Sequence, residues 1–317
     1  MLIEGYLEFD NSIPVSIECL GREFPINISG IDGLLVTPSI DETFYEEKKL
    51  GPLKAPSLGA IRFVEDFHWG SVNCWPTGDS EIRACKIIFP NIQEEMFEID
   101  GNKIINGLNE WRKLLIENIS VELKEDYRGK PRVITSKGYG YSGFGLFKKI
   151  TGSNKHFLPQ EEKETIIIYL RHFKFNQNSL QEILNITSQK KKPLLPFYFF
   201  LDAEKAKFEY NYRKSILDSA TAIEISFSLI IRNFLPSQEK LNKYITAKHN
   251  TLRLKRDLLK TLDVKLPFTE NEYTKNLDEI RNRVIHGGYF PSQSEIQLAL
   301  KITEQTLYSL FPKKYEI

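Results

Sequence analysis

An arginine, an asparagine and a histidine fall within six residues in "RNRVIH", Arg281 to His286, inside the stretch "LDEIRNRVIHGGYFPSQSE" at 277–295. These residue types suit one kind of chemistry. An imidazole takes or gives a proton near neutral pH. A guanidinium forks onto phosphate oxygens. A carboxamide orients a phosphate or holds the second imidazole nitrogen. Cleavage of RNA by its own 2′-hydroxyl needs an acid–base group and a phosphate clamp, and Arg281, Asn282 and His286 offer both. The same residues also have a plain structural reading, because cations gather in the last turn of helices for dipole reasons alone.

Several elements must position this trio. Leu277, Ile280 and Val284 recur at three and four residues, which predicts a helix from about 271 to 286 with its apolar stripe on one side. Gly287 stands where a left-handed C-terminal cap is expected. Ser292 and Glu295 have the spacing of a capping box, opening a helix from about 293 to 310. Arg281 and His286 are five residues apart, about 140° around an ideal helix, so they converge on one anion only at a frayed end or beside a neighbouring helix.

Upstream, "YRKSILDSATAIEISFSLIIRNFL" at 212–235 places Ile216, Ala220, Ile223, Phe227, Ile230 and Phe234 on one stripe, widened by Ala222, Ile225 and Leu229. A central, largely buried helix is expected there, stopped by Pro236. Glu224 is the one charge between Asp218 and Arg232 in that helix. A buried carboxylate needs a partner, and Arg281 or His286 would serve; the alternative is a carboxylate reaching solvent at the edge of the stripe. A further amphipathic stretch at 240–262 carries Lys248, Arg253, Lys255 and Arg256. Such a run is a solvated helix face or, if the bundle cleaves RNA, the strip that meets phosphates.

The first ~155 residues have another grammar, of short alternating or β-branched runs. "LIEGYLEF" (2–9), "PVSIECL" (14–20), "FPINIS" (24–29), "AIRFVEDF" (60–67) and "IRACKIIF" (82–89) read as strands, and "ETIIIYLRHFKF" (164–175) as another. Turn signals at Asp10-Asn11, Gly21, Gly33 and Pro76-Thr77-Gly78 separate them. One helix is expected at about 106–118, with Leu108, Trp111, Leu114 and Leu115 on one face. "KKKP" at 190–193 reads as the linker. The expected class is α+β: a β-rich domain over 1–200, then an antiparallel helical bundle over 205–317.

The whole chain sets bounds on these readings. Its 317 residues can bury two cores, and 41% apolar, 27% charged composition is that of a folded protein. Net charge is +1, with 19 Lys and Arg against 15 Asp and Glu in 201–317 and 24 against 27 before it. No global basic excess announces nucleic acid. Cys19, Cys74 and Cys85 form no CxxC pair and the five histidines show no ligand spacing, so neither a metal nor a cofactor is expected. The longest apolar runs, such as "PLLPFYFFL" at 193–201, are too short to span a bilayer. A cytoplasmic, reduced protein without a membrane partner is expected.

"RNRVIH" resembles the Arg-Asn-x-x-x-His signature of the HEPN superfamily, helical domains of prokaryotic defence ribonucleases and toxins. "YRKSILDSATAIEISFSLII" is similar to the long first helix of the Apea-like HEPN group, and the likeness covers about 205–312. The resemblance implies a metal-independent endoribonuclease, a toxin or anti-phage defence effector, that acts on RNA as a homodimer with two motifs meeting at a shared site. Under it Arg281 and His286 are catalytic, Asn282 supports them, and an antitoxin or phage trigger is a natural partner. Many HEPN domains have lost catalysis, so a non-catalytic dimerisation or binding module stands as the alternative.

A third reading is an RNA-binding adaptor centred on "KGYGYSGFG" at 137–145. Its glycines match GxGxxG without the strand-to-helix context of a dinucleotide site. Its Tyr139, Tyr141 and Phe144 resemble the base-stacking signature of RNA-recognition domains, although Ser142 departs from the pattern. A glycine-aromatic hairpin or surface loop satisfies the same residues.

Overall fold

A computed structural model describes residues 3–40, 50–56, 69–73, 79–124, 135–137, 148–149, 156–157, 164–166, 174–234, 248 and 251–315. An antiparallel sheet and a set of helices make up this part of the chain, a mixed α+β architecture. Among the described residues no helix is long and apolar enough to cross a membrane.

The sheet is built around β7 (Asp79–Phe89). β1 (Ile3–Ser16) runs antiparallel along one edge of it, from Ile3 opposite Phe89 to Ser16 opposite Asp79. On the other edge, β3 (Ile31–Val36) pairs with residues 86–88 and β6 (Gly70–Asn73) with residues 79–82. β2 (Glu23–Ile28) extends the sheet beyond β3, and β5 (Leu50–Lys54) and β4 (Ser39–Ile40) extend it beyond β6. Short antiparallel pairs join β8 (Thr135–Lys137) to β11 (Glu164–Ile166), and β9 (Lys148–Lys149) to β10 (His156–Phe157).

Two expected turns are not turns. The polar Asp10-Asn11 step interrupts β1 only as an irregularity between Glu8, opposite Ala84, and Ile13, opposite Ile82. The strand takes in the extra residues and resumes, because β7 continues beneath it. Gly33 lies inside β3, where a Cβ would stand 2.6 Å from the Phe89 ring. Its missing side chain lets a large aromatic lie against the strand, and the reversal is made upstream at Ser29-Gly30, both at positive φ. The expected strand at 14–20 likewise ends at Ser16 and gives way to a 3₁₀ turn, Ile17–Cys19. "AIRFVEDF", Pro76-Thr77-Gly78, Tyr139 and Tyr141 lie outside the described residues.

α1 (Phe97–Leu123) is about twice the length expected from its apolar face. Ile104, Trp111, Leu115, Ile119 and Leu123 pack it against the sheet, and that contact carries the helix through β-branched residues and Gly101, which propensity alone disfavours. α2 (Gln177–Ser188) was not expected; Leu180, Ile183 and Leu184 bring it beside α1 into the same core.

A second core holds the remaining helices: α3 (Leu195–Phe208), α4 (Tyr212–Phe234), α5 (Leu252–Thr261), α6 (Glu270–Tyr273), α7 (Glu279–Gly287) and α8 (Gln293–Leu310). The apolar run read as too short for a membrane is α3, with Phe197, Phe200 and Leu201 buried. A π-helical turn, Thr274–Asp278, joins α6 to α7. The buried face of α4 runs through Ser215, Ile216, Ser219, Ala220, Ile223, Phe227 and Ile231, while Phe234 is exposed. Small serines therefore form part of the contact surface that the aliphatic stripe left out.

The last turns of α1 tie the two cores together. Val121 belongs to the bundle core, and Tyr198 of α3 donates to Glu117 at 2.7 Å. Glu122 pairs with Lys314, and Lys124 pairs with Glu304 of α8. The segment between α2 and α3 is held too, since Leu194 donates its N–H to the Lys314 carbonyl at 2.9 Å.

Candidate active site

The apolar stripe of α7 decides where its polar residues point. Ile280 and Val284, with Leu277 just before them, are buried in the bundle core. Residues on the opposite side of an α-helix must then face water. Asn282 and His286 are there, both exposed and one turn apart, while Arg281 lies half-buried at the margin. Arg281 Nη1 donates to Asn282 Oδ1 at 3.4 Å. His286 is about 7.5 Å further along the axis, five residues at an α-helical rise. Asn282 thus stands between the guanidinium and the imidazole on one face.

The helix ends one residue later than its sequence indicates. Gly287 is the last helical residue and Gly288 takes the left-handed cap, at φ 62°, with its N–H on the Arg283 carbonyl. Tyr289 adds a second N–H to the same carbonyl at 3.2 Å. Arg213, at the start of α4, donates Nη2 to the Val284 carbonyl at 3.2 Å. A cation is thereby fixed at the negative end of α7.

The loop beyond the cap is held by one carboxylate. Glu295 accepts from the Ser292 N–H at 2.7 Å, from Tyr289 Oη at 3.0 Å and from Arg283 Nη2 at 2.9 Å. Ser292 Oγ accepts in return from the Glu295 N–H at 3.3 Å, completing the capping box that the sequence indicates. Burial works against the charged form of Glu295, but the bonds from Ser292, Tyr289 and Arg283 outweigh it and hold the carboxyl below its ordinary range. The Arg283 guanidinium also stacks over the Tyr289 ring, 4.1 Å from its centre.

Glu224 is placed elsewhere. Its Oε1 accepts from Lys255 Nζ of α5 at 2.9 Å, so neither Arg281 nor His286 is its partner. Half-burial of Glu224 beside a nearly buried lysine accounts for the lone carboxylate of α4. The expected phosphate strip on α5 is corrected by the same observation. Lys255 and Arg256 are buried, and Arg256 reaches Asp278 and Glu270, each at 3.5 Å, with its guanidinium 5.9 Å from the Tyr273 ring. These two cations neutralise acids within the bundle. Arg253 and Lys248 are exposed.

Asp278, in the π turn, is raised above the ordinary carboxylate range by burial, against the opposing charges of Arg256 and Arg281. It links the internal ion pair to the arginine of the exposed trio. Tyr273, in the turn before, is buried with its hydroxyl 2.7 Å from Thr306 Oγ1 of α8, and desolvation pushes it up to about 12.

Sequence reasoning did not single out Arg213, Arg283, Tyr289 or Phe290. Arg283 and the two aromatics stand within the opening stretch, and the signal available was "GGYF", bulky residues directly behind a helix stop. Arg213, nearly 70 residues upstream, gives no local signal. No protein-family model, curated protein or solved structure matches the chain.

Proposed function

We propose that the chain is an endoribonuclease of the HEPN type that cleaves RNA by 2′-hydroxyl attack. The observation that carries this reading is the exposed face of α7, where Arg281 is hydrogen-bonded to Asn282 and His286 follows one turn beyond Asn282. His286 Nε2 or Nδ1 takes the proton from the 2′-hydroxyl as the oxygen attacks phosphorus. Arg281 steadies the non-bridging oxygens as charge builds on them, and Asn282 keeps the guanidinium in place. The P–O5′ bond breaks as the 5′-oxygen receives a proton, leaving a 2′,3′-cyclic phosphate and a 5′-hydroxyl. One imidazole cannot act as base and acid in the same step, so a homodimer with two copies of His286 at one phosphate supplies both. Ile285, exposed beside Arg281, suits a face that meets a second copy.

The test is cleavage of end-labelled single-stranded RNA in EDTA by the wild type and by His286→Ala and Arg281→Ala. Loss of about 10²–10⁴-fold in rate is expected for His286→Ala, the usual contribution of a positioned acid–base group. Cleavage by both variants at the wild-type rate moves the active site elsewhere. A wild type that leaves RNA intact while forming a stable dimer favours the non-catalytic binding module.

A further inference from the structure

Phe290 is 76% exposed, the most exposed of the large hydrophobic residues among those described. It lies two residues beyond the Gly288 cap and four beyond His286. Water is a poor neighbour for a phenyl ring, and this ring is held out deliberately. Pro291 behind it is buried, and Ser292 is fixed by Glu295 on one side of it. On the other side Tyr289 is fixed by Glu295 and by the Arg283 carbonyl. The backbone on both flanks is thus bound, and the ring stands out into solvent.

The Arg213 guanidinium stands 5.4 Å from the centre of the Phe290 ring. Its hydrogen bond to the Val284 carbonyl locks it there, and among the described residues no carboxylate forms an ion pair with it. A positive charge therefore backs one side of an aromatic ring whose other side is open. Tyr210, 69% exposed and at φ 56°, lies three residues before Arg213, its ring 6.3 Å from that of Tyr212. Arg213 thus puts a positive charge and aromatic surface together at the C-terminal end of α7, the end that carries His286.

We propose that Phe290 is a stacking platform for an unpaired nucleobase of single-stranded RNA, with Arg213 holding the ring from behind. Every base offers a π face, so such a platform grips the strand without reading its sequence. Arginine beside it attracts the phosphates that flank the base. Duplex RNA keeps its bases stacked on one another and has none to give. The stack rests on the reading of α7 as an RNA site and deepens it, making the substrate single-stranded and fixing one nucleotide near the reacting phosphate.

Binding is measured without cleavage, in full-length His286→Ala protein, with a short fluorescein-labelled single-stranded RNA of mixed sequence and its duplex as control. Phe290→Ala should weaken single-strand binding about five- to 150-fold, the span of one lost base stack, and Phe290→Tyr should restore it. Phe290→Trp should bind like the parent and lose indole fluorescence on adding the single strand but not the duplex. Unchanged affinity in Phe290→Ala, together with Phe290→Trp fluorescence that ignores saturating single strand, overturns the platform. So does a shift from dimer to monomer in Phe290→Ala with RNA affinity retained, which assigns the ring to a protein contact. Quenching in Phe290→Trp from a wild type that never cleaves would sink the nuclease and leave the platform standing; cleavage with no effect of Phe290 on binding does the reverse.

Discussion

Glu224 of α4 and Lys255 of α5 meet at 2.9 Å, the lysine side chain 9% exposed and the glutamate 30%. The single carboxylate in the middle of the long helix thus balances a cation from the helix beside it. Its work is to let α5 lie against α4, and the α7 trio is left with no acidic partner from α4. Glu224→Gln should destabilise the protein by about 2 kcal/mol, below the ~3–5 kcal/mol of a fully buried pair because the carboxylate is still wetted. Glu224→Met with Lys255→Met should recover most of that loss in urea titrations. RNA cleavage per folded molecule should be unchanged in both; a selective loss of rate would return Glu224 to the site.

Asp278 gives a pH signature. Burial raises its folded-state carboxyl above the ordinary value, so the folded chain holds that proton more tightly than the unfolded one. Its contribution to stability is therefore fully present below the ordinary carboxylate range and is lost as pH rises through the folded value. Asp278→Asn should flatten that fall in urea midpoints measured across the acid range. Arg256→Met, which leaves Asp278 facing a less positive interior, should make it steeper and extend it to higher pH. A wild type and an Asp278→Asn variant with parallel curves would contradict the assignment.

Glu295 has the opposite sign. Its carboxyl is held low, so the stability it contributes is present above the ordinary range and lost as pH falls through the depressed folded value. Glu295→Gln should lower stability at neutral pH and narrow the gap to wild type under acid. Ser292→Ala, which removes the reciprocal half of the cap, should cost about 1 kcal/mol. Thermal unfolding at two pH values distinguishes the two variants.

The cap register is testable with two adjacent glycines. Gly288 is at φ 62°, so Gly288→Ala should cost about 1–2 kcal/mol, the penalty of a left-handed non-glycine residue. Gly287 is helical with open space around its Cα, so Gly287→Ala should gain about 0.5–1 kcal/mol. Opposite signs in Tm are expected, and equal losses would put the cap back at Gly287.

The legible parts of this chain were those decided by local chemistry. The Ser292–Glu295 box, the bounds of α8 and the buried Leu277, Ile280 and Val284 all follow from spacing alone. What spacing could not show was set by distant partners. α1 owes its extra turns to a sheet that includes β1 and β2, far upstream in sequence, and Gly33 owes its place to Phe89. Lys255 and Arg256 look like a solvated basic face until Glu224 and Asp278, from two other helices, turn them inward. In the candidate site, Arg281, Asn282 and His286 were readable because they share six residues of one helix. Arg213 was not, because its role is defined by the Val284 carbonyl and the Phe290 ring.

The π turn at Thr274–Asp278 has a bearing on all three of those residues. A wide turn takes in one residue more than an α turn, which sets back everything after it by about 100°. That angular phase is what aims Asn282 and His286 away from the core while Tyr273, ahead of the turn, keeps its seat against Thr306. Removing one exposed residue from the turn, Lys275, would restore an ordinary pitch and force a choice. Either Tyr273 leaves its seat, or the polar face of α7 rotates a quarter-turn toward the bundle. The extra residue works as a phase-setter, and a one-codon deletion far from the histidine could switch the face off without touching any group on it.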